Sequence, residues 1–326
     1  MACQIIKLFD NAEMCYCSPD GQIAQTLKEK EIRFIPLEKL SFKNVKKAVE
    51  EFKPDVIHAH DYKASVIASM FSHIKIISHI HGNKDYMNKL SLHSLAFLYA
   101  SKKIDKIIFV SKSCYDNFYF KKKIENKYLI LPNIINECAV KQKCDEDKKE
   151  YNFDIVFLGR LVEEKNPLRL INIAKILKEK NIKYKFAIVG DGILKEQIIQ
   201  KINEYKLNNE VKLLGYFQNP YKILSQSKLL LMTSIREGLP MCALEAMALG
   251  VPVISTKTDG MVELVKNDIN GFLFETDEEA AVIIQGLLQD KGKQTKLKAL
   301  TQNFSKEYNN LNEYKKTLLK LYENKI

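Results

Sequence analysis

The sequence predicts an α/β chain of two parallel-sheet domains facing a cleft, and three observations predict it. Its 326 residues are more than one hydrophobic core ordinarily serves, so two domains are expected. Short β-branched runs alternate with amphipathic stretches along the chain, the pattern of strand–helix–strand units that build parallel sheets. The alternation breaks at ECAVKQKCDEDKKEYN, residues 137–152, and then restarts. A hydrophobic fraction of 46% with 28% charged residues is a globular balance that leaves little room for extended disorder.

In chain order, strands are predicted at 55–60, 75–81, 106–111 and 127–132, with helices near 43–52, 64–72, 86–100 and 112–120. The charge-crowded break reads as a linker, so the first domain is expected over 1–145. Further strands are predicted at 154–159, 184–190, 211–214, 228–234 and 251–256, with helices beginning at 166, 193, 219, 241, 261 and 277. The helix over 166–180 is sharply specified. Asn166 suits its N-cap, Pro167 its first position, and Leu170, Ile173, Ala174 and Leu177 line one face. This second domain is expected over 146–305, followed by an amphipathic helix over 306–326 that packs back toward the first domain.

The net charge of +11 is shared between the halves, with 25 Lys and Arg against 19 Asp and Glu in residues 1–150. That distribution excludes a nucleic-acid arm. Residues 84–127 are locally lopsided, carrying ten lysines against Asp85, Asp105, Asp116 and Glu125. Two readings stand: peripheral contact with an anionic membrane surface, or a solvated lysine-rich face. Seven scattered cysteines, at 3, 15, 17, 114, 138, 144 and 242, read as reduced structural thiols, because Cys15 and Cys17 have no second pair to complete a zinc site. The start MACQIIKLFDNAEM lacks the basic and apolar regions of a secretory signal, and no run reaches the 18 or so apolar residues that span a bilayer. A cytoplasmic chain is therefore expected, peripheral on the membrane face if the basic stretch binds lipid.

Chemistry is sought where parallel strands end and helices begin, because helix N-termini offer unpaired N–H groups to phosphate. Three such ends in the second half stand out. In FLGRLVEEKN, residues 157–166, Gly159 lets backbone approach closely, and Arg160 and Lys165 are cations fit to neutralise a diphosphate. In IVGDG, Gly190, Asp191 and Gly192 make a tight turn after a buried strand. In REGLPMCALEAMALG, Gly238, Leu239, Pro240 and Met241 lead from a strand into a helix, with Glu237 before the turn and Glu245 eight positions later. Each segment alone is ordinary; their agreement is what points to a site whose carboxylates grip a sugar and a ribose.

These blocks, together with GVPVIST at 250–256, resemble the family-4 retaining glycosyltransferases of the GT-B fold, in which two Rossmann-like domains face a cleft. The resemblance runs from about Cys15 to about Phe274 and is weaker in the first half, where DVIHAH, IHG and LPN match in kind. It implies that Arg160 and Lys165 bind the donor diphosphate with the N–H groups of the 238–241 turn, replacing a metal. It also implies that Glu237 holds hydroxyls of the donor sugar, Glu245 holds the ribose, the GDG turn lies near the nucleotide, and residues 259–261 lie by the donor sugar and diphosphate.

His81, in HIHGN at a strand end, matches a cleft histidine of the family and is the candidate on the acceptor side. His58, His60 and His79 share its neighbourhood. No metal site is assigned to them, because strand period alone puts His58 and His60 on one face and no carboxylate stands nearby at helix spacing. Asp145 and Asp147 form an Asp-x-Asp pair inside the charged break and read as solvated charge. Only about a dozen residues precede MCYCSPDG, so the family's first strand, glycine-rich loop and long helix are expected to be missing and the N-terminal domain incomplete.

The expected function is retaining transfer of a hexose or N-acetylhexosamine from a nucleoside-diphosphate sugar to a glycan or lipid-linked glycan, without a cofactor. The alternatives are a homologue that binds nucleotide sugar or supports a partner enzyme without turnover, and another nucleotide-sugar enzyme on the same fold, such as a hydrolysing epimerase.

Overall fold

A computed structural model describes residues 1–21 and 23–323. Contacts divide the chain into two units, one formed by Met1–Asn133 with the segment from Leu311 onward, the other by Ile134–Asn310.

The first unit holds two parallel sheets. Strands β1 (Cys15–Pro19) and β2 (Arg33–Leu37) pair as a two-stranded ribbon. Strands β3 (Val56–His60), β4 (Lys75–Ile80), β5 (Lys106–Phe109) and β6 (Tyr128–Ile130) form a four-stranded sheet in that order. The sequence reading contained the second sheet but not the ribbon, whose strands are short and in β2 interrupted by Pro36. Ile76, Ile77, Ile107, Ile108 and Phe109 are fully buried, the continuous apolar runs that a sheet covered on both faces requires. The helix Leu311–Glu323 belongs to this unit; it buries Tyr314 and Leu318, and the Tyr322 ring lies 5.4 Å from that of Phe9. Residues 324–326 of the helix expected over 306–326 lie outside the described residues. Residues 306–308 end the preceding helix, Lys291–Tyr308, instead of starting this one.

The second unit is one six-stranded parallel sheet of β7 (Ile155–Leu158), β8 (Phe186–Val189), β9 (Val211–Gly215), β10 (Leu229–Met232), β11 (Val253–Thr256) and β12 (Gly271–Phe274), ordered β12-β11-β10-β7-β8-β9. Counting from β7, this is the doubly wound order 3-2-1-4-5-6, and its winding reverses between β7 and β10. The short strand GFLF of β12 is the one absent from the sequence reading.

Two local expectations are corrected. The stretch read as a linker contains the helix Glu137–Glu146, capped by the Asn136 side chain accepting from Ala139 N–H and buried through Val140 and Cys144. Lys141, Asp145 and Glu146 are exposed, which is why the stretch looked unstructured, whereas the Glu137 carboxylate accepts from Ser305 Oγ at 2.5 Å; the units divide at 133/134 instead of 145. Asn166 stands at the N-cap of the helix Pro167–Glu179 but makes no side-chain cap bond; it sits at φ +46°, a left-handed turn that Asn tolerates better than most residues. The predicted face of that helix is otherwise as expected, with Leu170, Ile173, Ala174 and Leu177 fully buried.

Candidate functional site

Ligands of open α/β sheets sit beyond the carboxyl ends of the strands at the point where the winding reverses. In the second unit that point is the gap between the ends of β7 and β10, and the chain places Gly159 to Lys165 after one and Ser234 to Met241 after the other.

The GDG turn shapes the first of these loops. Gly190 N–H donates to Gly215 O at 2.8 Å, Leu161 N–H donates to Asp191 O at 2.9 Å, and Gly192 N–H donates to the Asp191 carboxylate at 2.8 Å. Gly190 has φ +145°, and a Cβ there would lie 1.8 Å from Gly159 O, so only glycine fits. These N–H groups are thus engaged within the protein, and the turn fixes the path of the backbone that carries Arg160. The Arg160 side chain is exposed and makes no ion pair among the described residues.

Lys165 and Glu237, assigned from the sequence to different parts of a ligand, meet each other. Lys165 Nζ lies 2.5 Å from Glu237 Oε1, which also accepts from Ser234 Oγ at 2.6 Å. Glu237 is 8% exposed, and a carboxylate that buried needs such partners. The turn it opens packs against the helix Asp259–Leu264: Gly260 N–H donates to Glu237 O at 3.1 Å, and a Cβ on Gly260 would fall 1.5 Å from Gly238 O. Residues 259–261 therefore lie directly behind Glu237 and Gly238.

Pro240 stands at the N-cap of the helix Met241–Ala248 and offers no side-chain cap; Ala243 N–H donates to Pro240 O at 3.2 Å, and the N–H groups of Met241 and Cys242 are left without a capping side chain. Within that helix Glu245 Oε1 accepts from Tyr221 Oη at 3.1 Å, and burial holds the Glu245 carboxyl above its ordinary range. Cys242 lies close enough to Lys165, Glu237 and Glu245 to feel all three charges, and burial pushes its thiol up to about 12. Ser234, Tyr221 and Cys242 were not legible as site residues. Only Ser234 had a signal, its position at the strand end three residues before Glu237.

In the first unit, His81 follows β4. Its Nε2 is 2.7 Å from His60 Nδ1, and its backbone N–H donates to Asp61 Oδ1 at 3.3 Å. Burial lowers the His81 pKa to about 4, against the opposing pull of Asp61, so the ring is neutral at pH 7. His58, His60, His79 and His81 form a stack on one face of β3 and β4, with neighbouring ring centroids 4.2 to 5.4 Å apart. The sequence reading foresaw the shared face but not this grid, which needs the β3–β4 register. His79 is fully buried with neither ring nitrogen bonded among the described residues, a cost of about 1–3 kcal/mol per orphaned group. The Asp145–Asp147 pair shows no such convergence: Asp147 is engaged by Lys149 N–H and Tyr151 Oη.

Residues 141–304 match the family described as glycosyl transferases group 1, and residues 22–137 match glycosyltransferase family 4. The chain is 33% identical over 234 residues to an uncharacterized glycosyltransferase of Methanocaldococcus jannaschii, covering 64% of this chain and 57% of that protein. It is 28% identical over 256 residues to the Escherichia coli UDP-Gal:alpha-D-GlcNAc-diphosphoundecaprenol alpha-1,3-galactosyltransferase, covering 71% of this chain and 65% of that one. The chain thus spans less than two thirds of the length of these relatives. Among solved structures, Anabaena HepE in complex with UDP superposes with a TM-score of 0.83 at 19% identity, over 98% of this chain and 94% of that one. That structural likeness concerns the fold, two Rossmann-like domains in the GT-B manner.

Proposed function

This chain belongs to the glycosyl transferases group 1 family, and we propose that it moves a hexose or N-acetylhexosamine from a nucleoside-diphosphate sugar to a glycan or lipid-linked glycan, with retention, in cell-surface polysaccharide or glycoconjugate biosynthesis. The observation that carries this reading is the convergence of Arg160, the Lys165–Glu237 pair and the uncapped helix at 241 on the reversal point of a doubly wound sheet.

On this reading the departing diphosphate gains charge as the glycosidic bond breaks, and Arg160 and Lys165 stabilise it electrostatically together with the N–H groups of Met241 and Cys242. Two cations and a helix terminus take the place of a metal there, and no cofactor is required. Lys165 is shared with the phosphate while Ser234 keeps its bond to Glu237, whose free lone pairs accept sugar hydroxyls. Glu245, oriented by Tyr221, accepts ribose hydroxyls. Neutral His81 hydrogen-bonds the donor sugar or the incoming hydroxyl.

A lipid-linked acceptor is supported by the diphosphoundecaprenol-linked substrate in the name of the E. coli relative. No described helix is long and apolar enough to cross a membrane. We assign membrane contact instead to the 84–127 surface, where Leu90, Leu92, Leu95, Tyr99 and Tyr119 are exposed among the lysines, on the cytoplasmic face.

The test incubates the chain with UDP, GDP and ADP sugars and a lipid-diphosphate glycan, and reads the anomeric configuration of the product by NMR. A product with the donor's configuration is expected. Inversion overturns the retaining mechanism, and protection of the protein by a nucleotide sugar without any turnover favours the binding-only homologue.

A further inference from the structure

We propose that the imidazoles of His60, His79 and His81 form a binding site in the first unit for a borderline divalent transition ion, with Zn²⁺ as the reference case. Parallel pairing of β3 and β4 sets His60 opposite His79, and the two-residue strand period puts His58 and His81 on the same face. Register and period together gather imidazoles that sequence spacing alone keeps apart.

One ligand atom from each of His60, His79 and His81 can be chosen so that all lie within 4.8 Å of one another. Tetrahedral ligation with Zn–N of about 2.0–2.1 Å asks for nitrogens about 3.3 Å apart, which small ring rotations supply. Both nitrogens of the fully buried His79 lack partners among the described residues, so an ion would satisfy a group that the fold leaves unsatisfied. A set made only of imidazole selects Zn²⁺, Co²⁺, Ni²⁺ or Cu²⁺ over Mg²⁺ and Ca²⁺, which prefer oxygen.

Binding needs no proton to leave the protein. Whichever ring donates the hydrogen between His60 Nδ1 and His81 Nε2 moves it to its other nitrogen, and both lone pairs then face the ion. Water fills the fourth position. Asp61, which accepts from the His81 backbone N–H, fixes the start of the His81 segment and is a positioning residue. An ion held there occupies His81, so on the proposed transferase reading it slows transfer while leaving nucleotide binding by the second unit intact.

The experiment uses the full chain without a histidine tag, stripped with EDTA and dialysed, then titrated with Zn²⁺, Co²⁺ and, as control, Mg²⁺. One Zn²⁺ per chain is expected, with a raised thermal midpoint, visible d–d absorption of a four-coordinate site for Co²⁺, and no response to Mg²⁺. His79→Val should weaken Zn²⁺ binding at least tenfold, and H93A, at an exposed histidine outside the cluster, should bind as the wild type does. If H79V fails to fold, His60→Gln serves as the second variant. Wild-type protein without saturable binding, or ligand variants that bind Zn²⁺ as tightly as the wild type, overturns the proposal and leaves a plain hydrogen-bonded stack.

Discussion

Separating Lys165 from Glu237 should cost both stability and function, and the two effects can be measured apart. At 2.5 Å and an effective dielectric constant of about 20, their gross attraction is about 7 kcal/mol, most of it offset by desolvation. Removing one member of a fully buried pair costs about 3–5 kcal/mol, because the other charge is stranded. The Lys165 side chain is 21% exposed, which screens the pair and reduces the expected cost to about 2–3 kcal/mol. Lys165→Met and Glu237→Gln should therefore each lower the melting temperature of the second unit by about 4–12 °C, at the 2–4 °C per kcal/mol typical of units this size. The double variant should cost less than the sum, with a coupling of about 2 kcal/mol. Differential scanning calorimetry suits the measurement, since the chain has no tryptophan to report unfolding. Additivity within about 0.5 kcal/mol would refute the buried pair.

Arg160→Ala should separate the effects the other way, because its side chain is exposed and makes no ion pair among the described residues: stability within about 0.5 kcal/mol of the wild type, but donor turnover down about 10²- to 10³-fold in steady-state assays. Tyr221→Phe removes the donor on Glu245 and should weaken nucleoside-diphosphate affinity by about 0.5–1.5 kcal/mol, read by calorimetric titration. Gly190→Ala forces a Cβ to 1.8 Å from Gly159 O, and circular dichroism should show a loss of several kcal/mol or failure to fold. The pH profile of stability carries a sign. The folded-state pKa of His81 lies near 4, below its ordinary value of 6.5, so the unfolded chain binds more protons between those limits. Thermal stability should fall as pH drops from about 6.5 toward 4, and His81→Gln should flatten part of that fall.

Much of the second unit was legible because each strand is a short apolar run ended by a turn residue, as in IVFL before Gly159 and FAIV before Gly190. The strands β1 and β2 were not, since CYCSP and RFIPL hold few β-branched residues and pair only with each other. The helix Glu137–Glu146 was hidden by its own charge, with Val140 and Cys144 its only buried residues. At the site, Arg160, Lys165, Glu237 and Glu245 stood out by type and spacing, whereas the Lys165–Glu237 pair and the Tyr221–Glu245 bond join residues 72 and 24 positions apart. Contacts of that kind are set by the order of strands in the sheet, which local periodicity does not encode. The histidine grid has the same origin, in the register of β3 against β4.

We propose that the second unit holds a metal-free diphosphate site at its winding reversal. The decisive measurement is isothermal titration of the chain with UDP, GDP and ADP in the presence of EDTA. One of the three should bind with a stoichiometry of one, and Arg160→Ala should weaken that binding at least tenfold. Absence of binding by all three, or equal affinity in wild type and R160A, would contradict it.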